Sequence, residues 1–377
     1  MKYYIIAGEA SGDLHGSNLI KELKKKDTAA DIRCWGGDLM QSAGAKLVKH
    51  YRDLAFMGFI EVVKNLPTIF RNLKFCKEDI LQYKPDALIL IDYPGFNLRI
   101  AKWAKQQGLK VIYYISPQVW AWKENRVKMM KECIDKMLVI LPFEKEYFKT
   151  KWNWDVEYVG HPLVEVIENQ KEKVKSKNIA EYPDNQQRTP HNTIALLPGS
   201  RKQEISVKLP IMLEVVKSFP DYEFVIAQAP SLDESFYKTF TDPYPNVSSV
   251  KNKTYDLLTQ SKAALVTSGT ATLETALFAV PEVVCYKGSA ISYQIAKRVI
   301  KVKYISLVNL IMDRLVVHEL IQNELTPANL TKELNELLND QSRQAQLKSD
   351  YAELKQKLSE GGNASEKAAK SIVEFLQ

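Results

Sequence analysis

No run of about 18 apolar residues occurs anywhere in the chain, so no segment reads as a membrane-spanning helix. Ahead of Glu9 stand a single lysine and the short apolar run Tyr3–Ala7, too little for a secretory signal, and a cytoplasmic location is expected. Cysteine is scarce: Cys34, Cys76, Cys133 and Cys285 are far apart and make no Cys-x-x-Cys pair, which fits buried thiols in a reducing compartment rather than a disulfide framework. Asp-x-Asp is missing, and His318-Glu319 has no second histidine one turn later. A metal-bridged diphosphate therefore lacks its usual ligands, and no metal or other cofactor is expected. The absence of Gly-x-Gly-x-x-Gly argues against a nicotinamide dinucleotide. Basic arms, zinc-ligand spacings and RNA-binding aromatic motifs are absent too, so nucleic acid is not an expected partner. Low-complexity tracts and solenoid-length repeats do not occur.

What is present belongs to a globular protein, with 45% hydrophobic and 26% charged residues. A length of 377 residues predicts two domains. Lys plus Arg exceed Asp plus Glu by 52 to 45, a mild excess that favours anionic substrates or a negatively charged membrane surface. In the first half, the apolar runs Tyr3–Ala7, Ala87–Ile91, Val111–Ile115 and Met137–Leu141 alternate with helical patterns such as Leu14–Lys26 and Leu98–Gln107. Glu168–Asn192 is polar and marks a junction. Alternation restarts with Ile194–Leu197, Phe224–Ala227, Ala263–Thr267 and Glu282–Tyr286. The expectation is an α/β protein with two doubly wound parallel-sheet domains facing a cleft, residues 1–165 and 166–330, followed by a helical tail, 331–377, that packs across a domain or a partner subunit.

Two loops of the second half stand between an apolar strand and an amphipathic helix: Leu197-Pro198-Gly199-Ser200-Arg201 and Thr267-Ser268-Gly269-Thr270-Ala271-Thr272-Leu273-Glu274. Glycine beside a small hydroxyl residue lets backbone approach an oxyanion, and the following helix aims N–H groups and its positive dipole end at it. Arg201 adds a planar cation, and Glu274 is placed to hydrogen-bond a ribose diol. A capping box between Ser200 and Gln203 would need no ligand, but two such loops in neighbouring βα units make a nucleotide-sugar site the better reading.

In the first half, the loop Gly8, Glu9, Ser11, Gly12, Asp13 follows the first strand, where a polar ligand or a simple turn capped by Asp13 are both open. Asp92 ends the run Ala87–Ile91 and reads as a general base at the lip of the sheet, since Asn97 is better placed to cap the helix expected from Leu98. From Leu54 to Lys77, Phe56, Met57 and Phe59 are among apolar residues interleaved with Lys64, Arg71 and Lys74. A basic amphipathic segment of this kind fits either a bilayer interface or an ordinary core-facing helix.

Seven motifs, in order, resemble the lipid-A-disaccharide synthase family: Gly8-Glu9-Ala10-Ser11-Gly12-Asp13, Asp92-Tyr93-Pro94-Gly95-Phe96-Asn97, Ser116-Pro117-Gln118-Val119-Trp120-Ala121-Trp122, Leu141-Pro142-Phe143-Glu144, Val159-Gly160-His161-Pro162, Leu197-Pro198-Gly199-Ser200-Arg201 and Ser268-Gly269-Thr270-Ala271. The match runs to about Gln322. It implies a GT-B fold and a metal-independent, inverting transfer of 2,3-diacylglucosamine from its UDP derivative to 2,3-diacylglucosamine 1-phosphate, at the cytoplasmic face of the inner membrane. By this resemblance Asp92 is the base and Arg201 the donor-phosphate arginine. Ser268, Gly269, Thr270 and Glu274 form the nucleotide loop, and Asn309 and Gln322 line the donor side. Leu54–Lys77 becomes the bilayer-docking surface, and a homodimer is expected. Val308, Tyr93 and Gly95 depart from the family pattern. The rivals are a UDP-N-acetylglucosamine 2-epimerase on the same plan, a transferase acting on a lipid-linked peptidoglycan precursor, and a non-catalytic nucleotide-binding module.

Overall fold

The computed structural model describes residues 1–54, 66–181, 192–230, 232–289, 293, 294, 298 and 302–377. They divide into two units, Met1–Pro162 with Leu358–Gln377 and Leu163–Lys357. The first is built on a parallel sheet of β1 (Lys2–Ala7), β2 (Asp31–Gly36), β3 (Lys46–His50), β4 (Ala87–Ile91), β5 (Lys110–Tyr114), β6 (Lys136–Val139) and β7 (Glu157–Tyr158), ordered β3-β2-β1-β4-β5-β6-β7. The central strands are continuous apolar runs because helices cover both faces of the sheet. Tyr4, Ile6, Leu88 and Leu90 pack on one side with Cys76 and Ile80 of helix Leu66–Tyr83 and Ala101 and Ala104 of helix Pro94–Gln106. Tyr3, Ile5, Ile89 and Ile91 pack on the other with Leu19, Ile20 and Leu23 of helix Ala10–Lys26.

The second unit carries a parallel sheet of β8 (Thr193–Leu197), β9 (Glu223–Gln228), β10 (Val247–Lys251), β11 (Ser261–Thr267), β12 (Glu282–Tyr286) and β13 (His318–Ile321), ordered β10-β9-β8-β11-β12-β13. Both sheets reverse their strand order once, between β1 and β4 and between β8 and β11. At such a switch point the connections leave toward opposite faces, opening a crevice at the carboxyl ends of the strands. The loops after the four strands that flank these crevices carry Glu9, Asp92, Arg201 and Ser268 among the site residues read from the sequence.

The C-terminal helices are Pro327–Asn339, Gln341–Ser359 and Ala364–Leu376. They do not form a body of their own: residues to Lys357 group with the second unit, and Leu358–Gln377 with the first. Ala368, Ala369 and Ile372 of the last helix are fully buried in the cluster that contains Leu19 and Ile20. All four cysteines are buried free thiols.

Candidate active site

At the first switch point the loops after β1 and β4 are packed against each other. A Cβ on Gly8 would lie 2.3 Å from the Tyr93 ring, so only glycine permits this approach. Gly12, in the first turn of helix Ala10–Lys26, meets Ala7 closely, and an added Cβ would be 3.1 Å from that methyl. Glu9 and Ser11 are exposed at the crevice. Asp13 is not: its carboxylate is buried and accepts from the backbone N–H groups of Gly37 (2.8 Å), Met40 (3.0 Å) and Leu39 (3.2 Å). It caps the helix Asp38–Ser42 rather than its own, which ties that helix to the segment after β1 and commits the carboxylate to backbone.

Asp92 and Tyr93 both have left-handed backbone, with φ of 44° and 48°. Two consecutive non-glycine residues in this region are held only where surroundings over-determine them. The restraint is visible: the Asp92 carbonyl accepts from the Tyr113 hydroxyl at 2.5 Å and from Asn97 Nδ2 at 2.8 Å, while its N–H donates to the Tyr114 carbonyl at 3.2 Å. Asn97 therefore differs from its expected role. The helix starts at Pro94, with Tyr93 as its uncapped N-cap, and the buried Asn97 amide donates to the ends of β1 and β4 as well, at Ile6 (3.4 Å) and Ile91 (3.2 Å). With its backbone locked in this way, the Asp92 side chain stands half-buried at the crevice. Burial pushes its carboxyl up to about 6, the neighbouring Glu9 charge adds to the rise, and the Tyr93 backbone N–H opposes it. A carboxylate that binds its proton this close to neutrality has the basicity of a general base.

Other titratable groups of this unit are set differently. Burial drives His15 down to about 4 and His161 down to about 3, so both imidazoles stay neutral at physiological pH. Glu144 is pushed up to about 7 by burial, against hydrogen bonds from Leu141 N–H (3.0 Å) and Trp120 Nε1 (3.2 Å). That carboxyl joins two of the sequence motifs, Ser116–Trp122 and Leu141–Glu144, into one loop cluster.

In the second unit the turn after β8 and the turn after β11 flank the other switch point. Gly199 has φ of 117°, and a Cβ there would lie 3.0 Å from Glu204 Oε2. Gly269, at φ of 150°, is the N-cap of helix Thr270–Leu277. The alternative reading, a Ser200–Gln203 capping box, is not formed: Arg201 is the N-cap of helix Lys202–Glu214, and no side chain caps either helix. Both helix ends thus keep their N–H groups directed at the crevice, which suits an anion. Arg201 is exposed and pairs with Glu204 Oε1 at 3.2 Å. Glu204 also faces Lys208, a buried lysine that in sequence looks like one more polar position of an amphipathic helix. Ser200 and Thr270 are exposed. Half-buried Glu274, raised by burial, accepts from the Tyr255 hydroxyl at 3.3 Å.

Gln322 follows β13 with a left-handed φ of 54°, and its buried Nε2 has no partner among the described residues. A buried amide donor left unpaired at the carboxyl end of the sheet is placed to bind a ligand. Asn309 differs from its expected role. Its Oδ1 accepts from Val316 N–H (2.8 Å) and Val317 N–H (2.9 Å), and its Nδ2 donates to the Val317 carbonyl (2.8 Å) and Glu319 Oε1 (2.9 Å). Nothing of that amide remains for a ligand. Glu319 in turn accepts from the backbone of Ile305 and Ser306, and the Ile305 carbonyl accepts from Ser268 Oγ at 2.8 Å. Asn309 therefore acts one step behind the turn after β11, holding it in place.

Of the residues expected to dock on a bilayer, Phe56, Met57, Phe59 and Lys64 lie outside the described residues; Arg71 and Lys74 are exposed on helix Leu66–Tyr83. Among the described residues, one group brings three prospective metal-binding atoms within 4.8 Å of one another: His318, Glu333 and Glu336. His318 begins β13, at the end of the sheet opposite the crevice, and its ring is already hydrogen-bonded to Glu333.

The chain matches the family model described as "Lipid-A-disaccharide synthetase" over residues 3–373. It is 38% identical over 372 residues to the lipid-A-disaccharide synthase of Syntrophus aciditrophicus (strain SB), covering 97% of this chain and 95% of that one. The lipid-A-disaccharide synthase of Geobacter metallireducens is 37% identical over 383 residues, covering 99% of this chain and 96% of the relative. Among solved structures, the UDP-GlcNAc 2-epimerase of Neisseria meningitidis bound to UDP-GlcNAc superposes with a TM-score of 0.66 at 15% identity, over 100% of this chain and 99% of that one. The glycotransferase of kitacinnamycin gives 0.64 at 15% identity, over 100% and 99%. Likeness at that identity establishes the fold alone, the GT-B plan of two parallel-sheet α/β domains. The full-length relatives and the family model go further, and with the ordered motifs in their expected places the chain belongs to the lipid-A-disaccharide synthase family.

Proposed function

We propose that the chain transfers 2,3-diacylglucosamine from UDP-2,3-diacylglucosamine to the 6-hydroxyl of 2,3-diacylglucosamine 1-phosphate, yielding the β-1,6-linked disaccharide phosphate and UDP. The observation that carries this reading is the Asp92 carboxyl, fixed at the switch point of the first sheet by its own backbone bonds and pushed up to about 6. Asp92 takes the proton of the acceptor hydroxyl as its oxygen attacks the anomeric carbon. The bond from that carbon to the diphosphate breaks on the opposite side, inverting the centre, and its electron pair leaves with UDP. Charge grows on the departing diphosphate, where Arg201 and the uncapped helix ends after Gly199 and Gly269 oppose it. Fixed donors of this kind need no reorganisation as the reaction proceeds. Epimerisation shares only the fold.

The test is UDP release. UDP is expected to appear only when both acylated substrates are present, and turnover is expected to be unchanged by a chelator. UDP formed from donor alone, or inversion at C2 of UDP-N-acetylglucosamine, would overturn the assignment.

Both substrates carry acyl chains, and we propose further that helix Leu66–Tyr83 docks the enzyme on an anionic bilayer. Phe70 is 64% exposed and Leu81 49%, an unusual display for large apolar side chains on a helix that covers a sheet. Between this helix and Pro94–Gln106 lies a hollow of about 450 Å³ with Phe70, Leu81 and Trp103 on its walls and Lys74, Lys77 and Arg99 at its edge. Apolar walls beneath cations match acyl chains beneath phosphates. No helix among the described residues is long and apolar enough to cross a membrane. Phe70→Ser, Leu81→Ser and Lys74→Gln in combination are expected to weaken sedimentation with anionic phospholipid vesicles by about tenfold or more, with UDP affinity intact. Unchanged sedimentation would eliminate the docking surface.

A further inference from the structure

Among the described residues, Lys208 is the one buried lysine, and the catalytic scheme has no use for it. It lies in helix Lys202–Glu214, immediately behind the Gly199-Ser200-Arg201 turn, and is 2% exposed. Side chains on a helix lean toward its N-terminus, and this one reaches back until Nζ is 3.7 Å from where a Cβ on Gly199 would stand. The ammonium is therefore covered by the very backbone turn that would receive a phosphate.

The charges around it do not balance. Glu204 Oε2 is 3.8 Å from Lys208 Nζ, and the other oxygen of the same carboxylate holds Arg201 Nη1 at 3.2 Å. One acid thus serves two cations at the positive end of a helix dipole. The remaining titratable neighbour contributes no anion: burial pushes the Cys285 thiol up to about 12. Burying a cation is costly unless it is closely paired. A pair formed purely for stability would close to about 2.8 Å, the usual length of an ammonium–carboxylate bond; this one stays open by an ångström. Burial accordingly holds the Lys208 ammonium below the ordinary lysine range in spite of Glu204.

We infer that Lys208 is a diphosphate-binding residue of the donor pocket, reaching a phosphate of the nucleoside diphosphate from beneath the Gly199 turn while Arg201 and the helix N-terminus meet it from the open side. The inference rests on the donor reading given above. A bound diphosphate supplies the negative charge that the pocket lacks, and Glu204 keeps both cations aimed at its position in the free protein.

Lys208→Met removes the charge at nearly constant volume, and calorimetry with UDP and with uridine on the full chain at pH 7.5 tests it. The variant is expected to bind UDP at least about tenfold more weakly than wild type, the worth of one charged hydrogen bond, and to bind uridine as wild type does. A purely structural lysine would not single out the diphosphate. UDP affinity in Lys208→Met within about threefold of wild type, or an equal loss of affinity for uridine, would overturn the inference. Lys208→Gln, which keeps a polar group and drops the charge, is expected to show the same selective loss and serves should Lys208→Met not fold. Failure of wild type to bind UDP at pH 7.5 would instead sink the donor reading itself.

Discussion

Asp92→Asn is expected to lower turnover by roughly two to four orders of magnitude, the usual worth of a positioned general base, while UDP binds as in wild type. Asparagine preserves size and the backbone bonds to Tyr113 and Asn97, so the loop keeps its shape and only proton transfer is lost. The pH profile gives an independent reading. Asp92 must be ionised to act, and burial pushes its carboxyl up to about 6, so wild-type kcat/KM is expected to rise about tenfold per pH unit up to that point and then level off. In Asp92→Asn this acidic limb should vanish. The sign for stability runs the other way. A carboxyl whose affinity for protons is raised on folding favours the fold at low pH and loses that contribution as pH rises through about 6, so the variant should melt no lower than wild type at neutral pH. Wild-type turnover in Asp92→Asn would place the base elsewhere. His15 is a poor substitute because its imidazole, lowered to about 4, is a much weaker base.

Gly361→Ala should cost about 3 kcal/mol of stability, although residue 361 belongs to none of the turns at the two switch points. An added Cβ would lie 2.1 Å from the Gly160 nitrogen and 2.3 Å from its Cα. Backbone, unlike a side chain, has no rotamer with which to move aside. Gly160, at φ of 90°, is closed in from its own side, since a Cβ there would be 2.7 Å from the Gly362 carbonyl oxygen. The contact anchors the final helix to the first sheet, together with hydrogen bonds from His161 N–H to the Leu358 carbonyl (3.3 Å) and from Lys367 Nζ to the Tyr158 carbonyl (2.8 Å). Forcing the two chains apart exposes Ala368, Ala369 and Ile372, all fully buried. Denaturant unfolding and limited proteolysis of the C-terminal segment report the change. A variant with the wild-type midpoint and the wild-type cleavage pattern would refute this account of the anchor.

The central strands were legible because burial on both faces demands unbroken apolar runs, as in Ala87–Ile91 and Ile194–Leu197. Strands at or near the sheet edges were not. β3 (KLVKH) and β10 (VSSVK) are half-exposed and β13 (HELI) is short, so none carries such a run. Asp92, Gly199 and Gly269 were identifiable from local chemistry, since each follows an apolar strand where the chain must turn. Asp13 and Asn309 resemble ligand residues in sequence because capping a distant helix and binding a substrate call for the same polar side chains.

Local pattern by itself determined the alternation of strand and helix, the two phosphate-type turns and the family, because spacing and residue type are properties of neighbouring positions. Tertiary structure alone decided which polar groups are already satisfied by distant backbone, that Lys208 comes to lie beneath Gly199, and that Gly361 meets Gly160. Those outcomes depend on which surfaces the fold brings together across long stretches of chain, and burial and hydrogen-bond saturation have no value until that has happened.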